Sequence, residues 1–170
     1  PYNAAPDALL VNFKSIALTL VPLPGAAVAR VQLDPPLAGV QVPSSVPLLD
    51  GACGDYRSAL KADFTDPTRI RLAGGYPASC GEKTWPVAYS DPISYAPRAV
   101  LGMWQDMGGT LTGRVRWGTL PNAAATPGGL DLKPVFEVRS ASLAETMRDI
   151  NKYSNNVMAQ QLFLTLSLPQ

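Results

Sequence analysis

The chain has 170 residues, a net charge of +1, 46% hydrophobic and 16% charged residues. That is enough for one domain or two small lobes. The absence of any basic run argues against nucleic acid as a partner, and no apolar run reaches the roughly 18 residues that a membrane span requires. Seventeen prolines and 14 glycines cut the chain into short pieces, which favours β structure and turns over long helices.

There is no histidine. A Ser-His-Asp triad, a Cys-His dyad and a His-ligated zinc site are therefore excluded within the chain. Nucleophilic chemistry here would need lysine as its base. Two cysteines make a poor metal site, so no metal or other cofactor is expected. Cys53 and Cys80 are read as a disulfide pair, with two free buried thiols as the alternative. A disulfide would imply an oxidising compartment.

The chain opens Pro1-Tyr2-Asn3, with neither an initiating Met nor a signal peptide, and is expected to be a piece of a longer protein. Ala8 to Phe13 and Ser15 to Val21 read as two short strands around Lys14. Val28 to Leu33 alternates, with Ala29, Val31 and Leu33 on one face. Asp34-Pro35-Pro36 is a hard stop. Short strands are expected at Val40 to Val42 and Val46 to Leu49, then at Tyr56 to Phe64, Arg69 to Leu72 and Trp85 to Tyr89.

From Ala96 the character changes. Pro97 to Met107 carries Val100, Leu101, Trp104 and Met107 at helical spacing, with Pro97 suited to the first turn and Gly108-Gly109 to the stop. Leu111 to Trp117 alternates as a strand, Asn122 to Gly129 is a loop, and Pro134 to Val138 reads as a further strand. Ser142-Leu143-Ala144-Glu145 is a capping box. The helix that it opens has Leu143, Met147 and Ile150 on one face and frays by Tyr153. A last helix begins near Ser154, with Met158, Leu162, Phe163 and Leu166 as its buried positions.

Between those two helices lies Ser154-Asn155-Asn156, a Ser-x-Asn triplet. Serine enzymes that use lysine as base converge three elements: a helical Ser-x-x-Lys, a Ser-x-Asn and a Lys-Thr-Gly on a strand. The middle element needs a short rigid turn between helices, which is the local context of Ser154 and Asn156. The plain alternative is that Ser154 N-caps the final helix. Two further matches are set aside. Ser58-Ala59-Leu60-Lys61 fits Ser-x-x-Lys literally but falls in a strand-like run, where residues three apart face opposite ways. Lys83-Thr84-Trp85 has Trp where Gly is required and reads as the start of a strand.

The run from Ser140 to Leu164 resembles the penicillin-binding protein 4 family of D-alanyl-D-alanine carboxypeptidase/endopeptidases. The resemblance extends more loosely to Leu101-Gly102, Trp104, Gly108-Gly109, Gly113 and Val115, and to Gly25, Arg30, Val31 and Pro35-Pro36. It implies an α+β fold, predominantly β. Residues 1–95 would be a β-rich inserted domain, 96–135 the helix–strand part of a second insertion, and 136–170 the return into a transpeptidase-like catalytic domain. It implies Ser154 as proton relay and Asn156 as substrate-binding amide, with the nucleophile and the Lys-Thr-Gly motif elsewhere, so that this chain alone is inactive and its last helices partly exposed. It also implies a periplasmic location, peptidoglycan stem peptides as substrates, β-lactams as ligands, and no cofactor. The competing expectation is a non-catalytic β-rich module that docks on peptidoglycan or a partner protein.

Overall fold

A computed structural model describes residues 4–118 and 137–167. The chain is α+β and forms two compact units. One runs from Ala8 to Val115; the other is made of the chain on either side of it, up to Asp7 and from Arg116.

The first unit is built on a five-stranded sheet. Its strands are β1 (Ser15–Pro22), β2 (Val28–Asp34), β3 (Ser45–Leu49), β6 (Tyr76–Pro77) and β7 (Lys83–Ala88), in the order β6-β3-β2-β1-β7. Neighbours are antiparallel except β3 and β6. A short pair, β4 (Ala62–Asp63) with β5 (Arg71–Leu72), lies apart from it. The alternation read in β1 and β2 is realised: Ile16, Leu18, Leu20, Ala29 and Val31 are buried, while Arg30 and Gln32 face solvent. Asp34-Pro35-Pro36 ends β2, with Asp34–Pro35 in cis. Lys83-Thr84-Trp85 does start a strand, β7, and the Trp85 indole meets the Phe64 ring edge-on.

Helix α2 (Tyr95–Asp106) belongs to this unit and seals one face of the core. Tyr95 and Ala99 join the core, and the Tyr95 hydroxyl donates to the Ser15 carbonyl at 2.7 Å. Arg98 and Ala38 hold each other: the Ala38 N–H donates to the Arg98 carbonyl at 3.0 Å, and the Arg98 guanidinium to the Ala38 carbonyl at 2.9 Å. A Cβ on Gly102 would stand 2.1 Å from the Pro36 carbonyl oxygen, so only glycine allows this approach.

Four sequence expectations change. Ala8–Phe13 is not a strand. Asn12, Phe13 and Lys14 take positive φ of 46°, 51° and 54°, and the Lys14 N–H bonds back to Val11, so pairing starts only at Ser15. Val40–Val42 makes a single bridge, Gln41 to Arg69, in place of a strand. Of Tyr56–Phe64 only Ala62–Asp63 is strand, as β4; Tyr56–Leu60 is a short helix, α1. Asp55 caps it by accepting the Ser58 N–H, and Lys61 ends it in the left-handed region. A run this short carries no decisive periodicity, and the cap tips the balance. Leu111–Trp117 forms no strand either; Gly113, at φ 123°, bends the chain within it.

The helix expected at Pro97–Met107 is present, as Tyr95–Asp106, and its small residues form the buried side. Ala96, Ala99 and Gly102 face the core. Val100, Leu101, Trp104 and Met107 instead line an open groove with Met103, Leu111 and Val115, about 420 Å³ in volume. Small residues allow the helix to approach the sheet closely, and the bulky ones remain outside.

Cys53 and Cys80 are joined by a disulfide. It ties the loop before α1 to the turn after β6, where the Ser79 hydroxyl also donates to the Gly51 carbonyl at 2.7 Å.

The described part of the second unit contains α3 (Leu143–Tyr153) and α4 (Asn156–Leu166). The capping box is complete: the Glu145 N–H donates to the Ser142 hydroxyl, and the Ser142 N–H to the Glu145 carboxylate at 3.0 Å. Met147 and Ile150 of α3 face Leu162, Phe163 and Leu166 of α4 across an apolar groove. Of the positions expected to be buried in α4, Phe163 and Leu166 are 73% and 72% exposed; the buried residue is Val157. The Gln161 amide clasps the backbone of Asp7, accepting its N–H at 3.0 Å and donating to its carbonyl at 2.8 Å. The expected loop at Asn122–Gly129 lies outside the described residues, as does most of the expected strand at Pro134–Val138.

Candidate active-site turn

Three polar residues connect α3 to α4, and each has a separate position. Ser154 is the C-cap of α3. Its φ of 49° and ψ of 44° put it in the left-handed region, and its N–H bonds the Ile150 carbonyl. A non-glycine residue there carries roughly 1–2 kcal/mol of strain. Asn155 is the N-cap of α4; its side-chain oxygen accepts the Met158 N–H at 3.1 Å. Asn156 is the first residue of α4.

The sequence alternative in which Ser154 caps the final helix is therefore replaced: Asn155 does so. Serine and asparagine are nearly equal N-caps, so a Ser-Asn-Asn run does not reveal which of them starts the helix. Ser154 and Asn156 are both exposed. Among the described residues, neither side chain is committed to a hydrogen bond. Cap hydrogen bonds from both flanking helices fix the backbone of the turn at this point. Val157, the next residue, is 3% exposed and anchors α4 beside the motif.

The Ser-x-x-Lys match, Ser58 with Lys61, has a different geometry. Ser58 does lie on a helix, contrary to the sequence reading. Its hydroxyl, however, donates to the Asp55 carboxylate at 2.6 Å, and its N–H is bound by the same group. These bonds hold the Asp55 carboxyl below its ordinary range. Lys61 stands beyond the end of the helix at φ 47°, so the pair is not stacked one helical turn apart. A serine bound to a carboxylate, with no lysine placed above it, is not set up as a nucleophile.

Among the described residues, no three His, Cys, Asp or Glu side chains are grouped to hold a metal, and no helix is long and apolar enough to cross a membrane.

A model of the D-Ala-D-Ala carboxypeptidase 3 (S13) family matches residues 1–168. The chain belongs to this family of serine-type D-Ala-D-Ala carboxypeptidases, whose substrates are peptidoglycan peptides. No curated protein matches the chain.

Proposed function

We propose that the chain is part of a penicillin-binding protein 4-type enzyme that cleaves peptidoglycan stem peptides as carboxypeptidase or endopeptidase, through a serine acyl-enzyme. The observation that carries this reading is the Ser154 turn. In a chain of this family, a strained serine sits between two capped helices, and its hydroxyl is not used for capping. Strained residues cluster at active sites; Lys61 shares the conformation, so what sets Ser154 apart is its unused hydroxyl between two capped helices.

In this reading, Ser154 passes the proton from the nucleophile's lysine to the leaving amine, so that the acyl–enzyme bond forms as the D-Ala–D-Ala peptide bond breaks. Asn156 donates its amide N–H to a peptide carbonyl of the substrate and fixes its register. The attacking serine and the Lys-Thr-Gly strand belong to chain outside Pro1–Gln170, and this chain alone is inactive.

The unit Ala8–Val115 is then an insertion. What supports this is the chain path: residues before Ala8 and after Val115 fall in one compact unit, and Gln161 clasps Asp7 within it. An insertion leaves and rejoins its host in that manner. The Cys53–Cys80 disulfide supports an oxidising compartment, the periplasm.

The test is intact-mass spectrometry after incubation with a labelled penicillin. The full-length parent is expected to gain one adduct and this chain none. An adduct on the chain itself would restore Ser58 as a nucleophile. No adduct on either would remove the acyl-enzyme reading.

A further inference from the structure

We propose that the cleft between residues 41–43 and Arg69–Leu72 binds the carboxylate end of a short peptide bearing small apolar side chains. The two walls are pinned at one end. The Gln41 N–H donates to the Thr68 carbonyl at 2.8 Å, and the Ile70 N–H to the Gln41 carbonyl at 2.9 Å. Pro43 has no N–H with which to continue such pairing, and beyond the bridge a space of about 420 Å³ opens.

Arg69 and Arg71 are two residues apart in extended chain and so share a face; Ile70, between them, is buried. The Arg69 Nε donates to the Gln41 side-chain oxygen at 2.9 Å. That bond orients the guanidinium plane and leaves its two terminal nitrogens for a ligand. Neither arginine is in an ion pair within 4.0 Å among the described residues, although Asp66 feels the charge of both and Asp63 that of Arg71. Asp63 stands opposite Arg71 in the β4–β5 ladder, and Asp66 begins the adjoining turn. Both carboxylates hold their own turns, through Thr65 and Thr68, and neither lines the cleft.

Two guanidiniums suit a carboxylate because their forked donors match its two oxygens. Val42, Pro43 and Leu72 supply an apolar wall beside them. A phosphate would use the charge but not that wall. A D-Ala-D-Ala terminus uses both, with one carboxylate and two methyl groups. The choice of peptide rests on the family's substrate class. The cleft lies in the unit Ala8–Val115 and is a docking site without chemistry of its own.

The experiment is an NMR titration of the isotope-labelled 170-residue chain with N-acetyl-D-Ala-D-Ala and with its C-terminal amide. The acid is expected to give saturable shifts at residues 41–43 and 69–72. The amide should bind about tenfold more weakly, as should the acid to Arg69→Gln or Arg71→Gln, for loss of a charged hydrogen bond. Equal binding of acid and amide would overturn the proposal, and so would acetate binding as tightly as the peptide, or shifts confined to other residues. The comparison of acid with amide needs no variant, so a folding defect cannot mask the answer. Penicillin acylation of the parent is read separately. A parent that acylates while this titration fails keeps the carboxypeptidase reading and loses the cleft.

Discussion

At the turn between α3 and α4, neighbouring residues of similar polarity have different tasks. Asn155 holds the helix, whereas Ser154 is strained and exposed. Substitutions should separate these roles. Asn155→Ala should cost about 1 kcal/mol of α4 stability, read by hydrogen exchange at Met158. Ser154→Gly should relieve left-handed strain and leave stability equal or higher. In the full-length parent it should nevertheless slow penicillin acylation roughly 100-fold or more, by loss of proton transfer. Unchanged acylation would remove Ser154 from the mechanism.

Tyr95 allows a second test at this scale. Its ring is fully buried, and burial pushes its hydroxyl up to about 12. In the unfolded chain the phenol ionises near pH 10. Between those values the unfolded state releases a proton that the folded state keeps, so stability falls as pH rises through that window. Tyr95→Phe should lose about 1 kcal/mol at neutral pH, from the bond to Ser15. Its alkaline loss should also be smaller, with the remainder from Tyr76 and Tyr89, which burial likewise raises, as measured by urea unfolding across the pH range.

At the scale of elements, the packing of α2 shows how far pattern reading reaches. The apolar period identified the helix, and only the tertiary structure shows which face is buried. Val100, Leu101, Trp104 and Met107 set that period in the sequence. The core stripe is Ala96, Ala99 and Gly102, because the Pro36–Ala38 segment lies close against it. A hydrophobic pattern records where large apolar groups are, and says nothing about how near another backbone comes. Gly102→Ala should therefore destabilise the first unit by about 1–3 kcal/mol, by forcing α2 off that segment. Helix α1 was misread for a related reason. Five residues hold too little periodicity, and the deciding contact, Asp55 with Ser58, is a local cap. The disulfide was legible as a pair because there were only two cysteines. It closes a loop of 27 residues in separation, so Cys53→Ala with Cys80→Ala should cost about 3–4 kcal/mol in the chain-entropy model, read from the denaturant midpoint.

For the whole molecule, the two-unit organisation has a direct consequence. A unit with its own core and its own disulfide should fold alone. Ala8–Val115 expressed by itself is expected to keep the amide spectrum of the sheet that it shows in the full chain; a collapsed spectrum would contradict an insertion. Acid should act on both units. Asp55, Asp63, Asp66, Asp91 and Glu145 are held below their ordinary values, chiefly by hydroxyl and backbone N–H donors. Their contributions are present above the ordinary carboxylate range and lost as pH falls through the folded values.

Sequence alone was enough for whatever depends on residue type and local order. The lack of histidine removed whole classes of chemistry, alternation placed β1 and β2, and the capping box placed α3. The family resemblance also rested on residue order. Tertiary structure decided which face of α2 is buried, that Asn155 rather than Ser154 caps α4, and that Arg69 is held by Gln41, 28 residues away. Each of these depends on distances between segments remote in sequence or on a choice among near-equal caps. The energy differences involved are a few kcal/mol, set by packing that no local pattern contains.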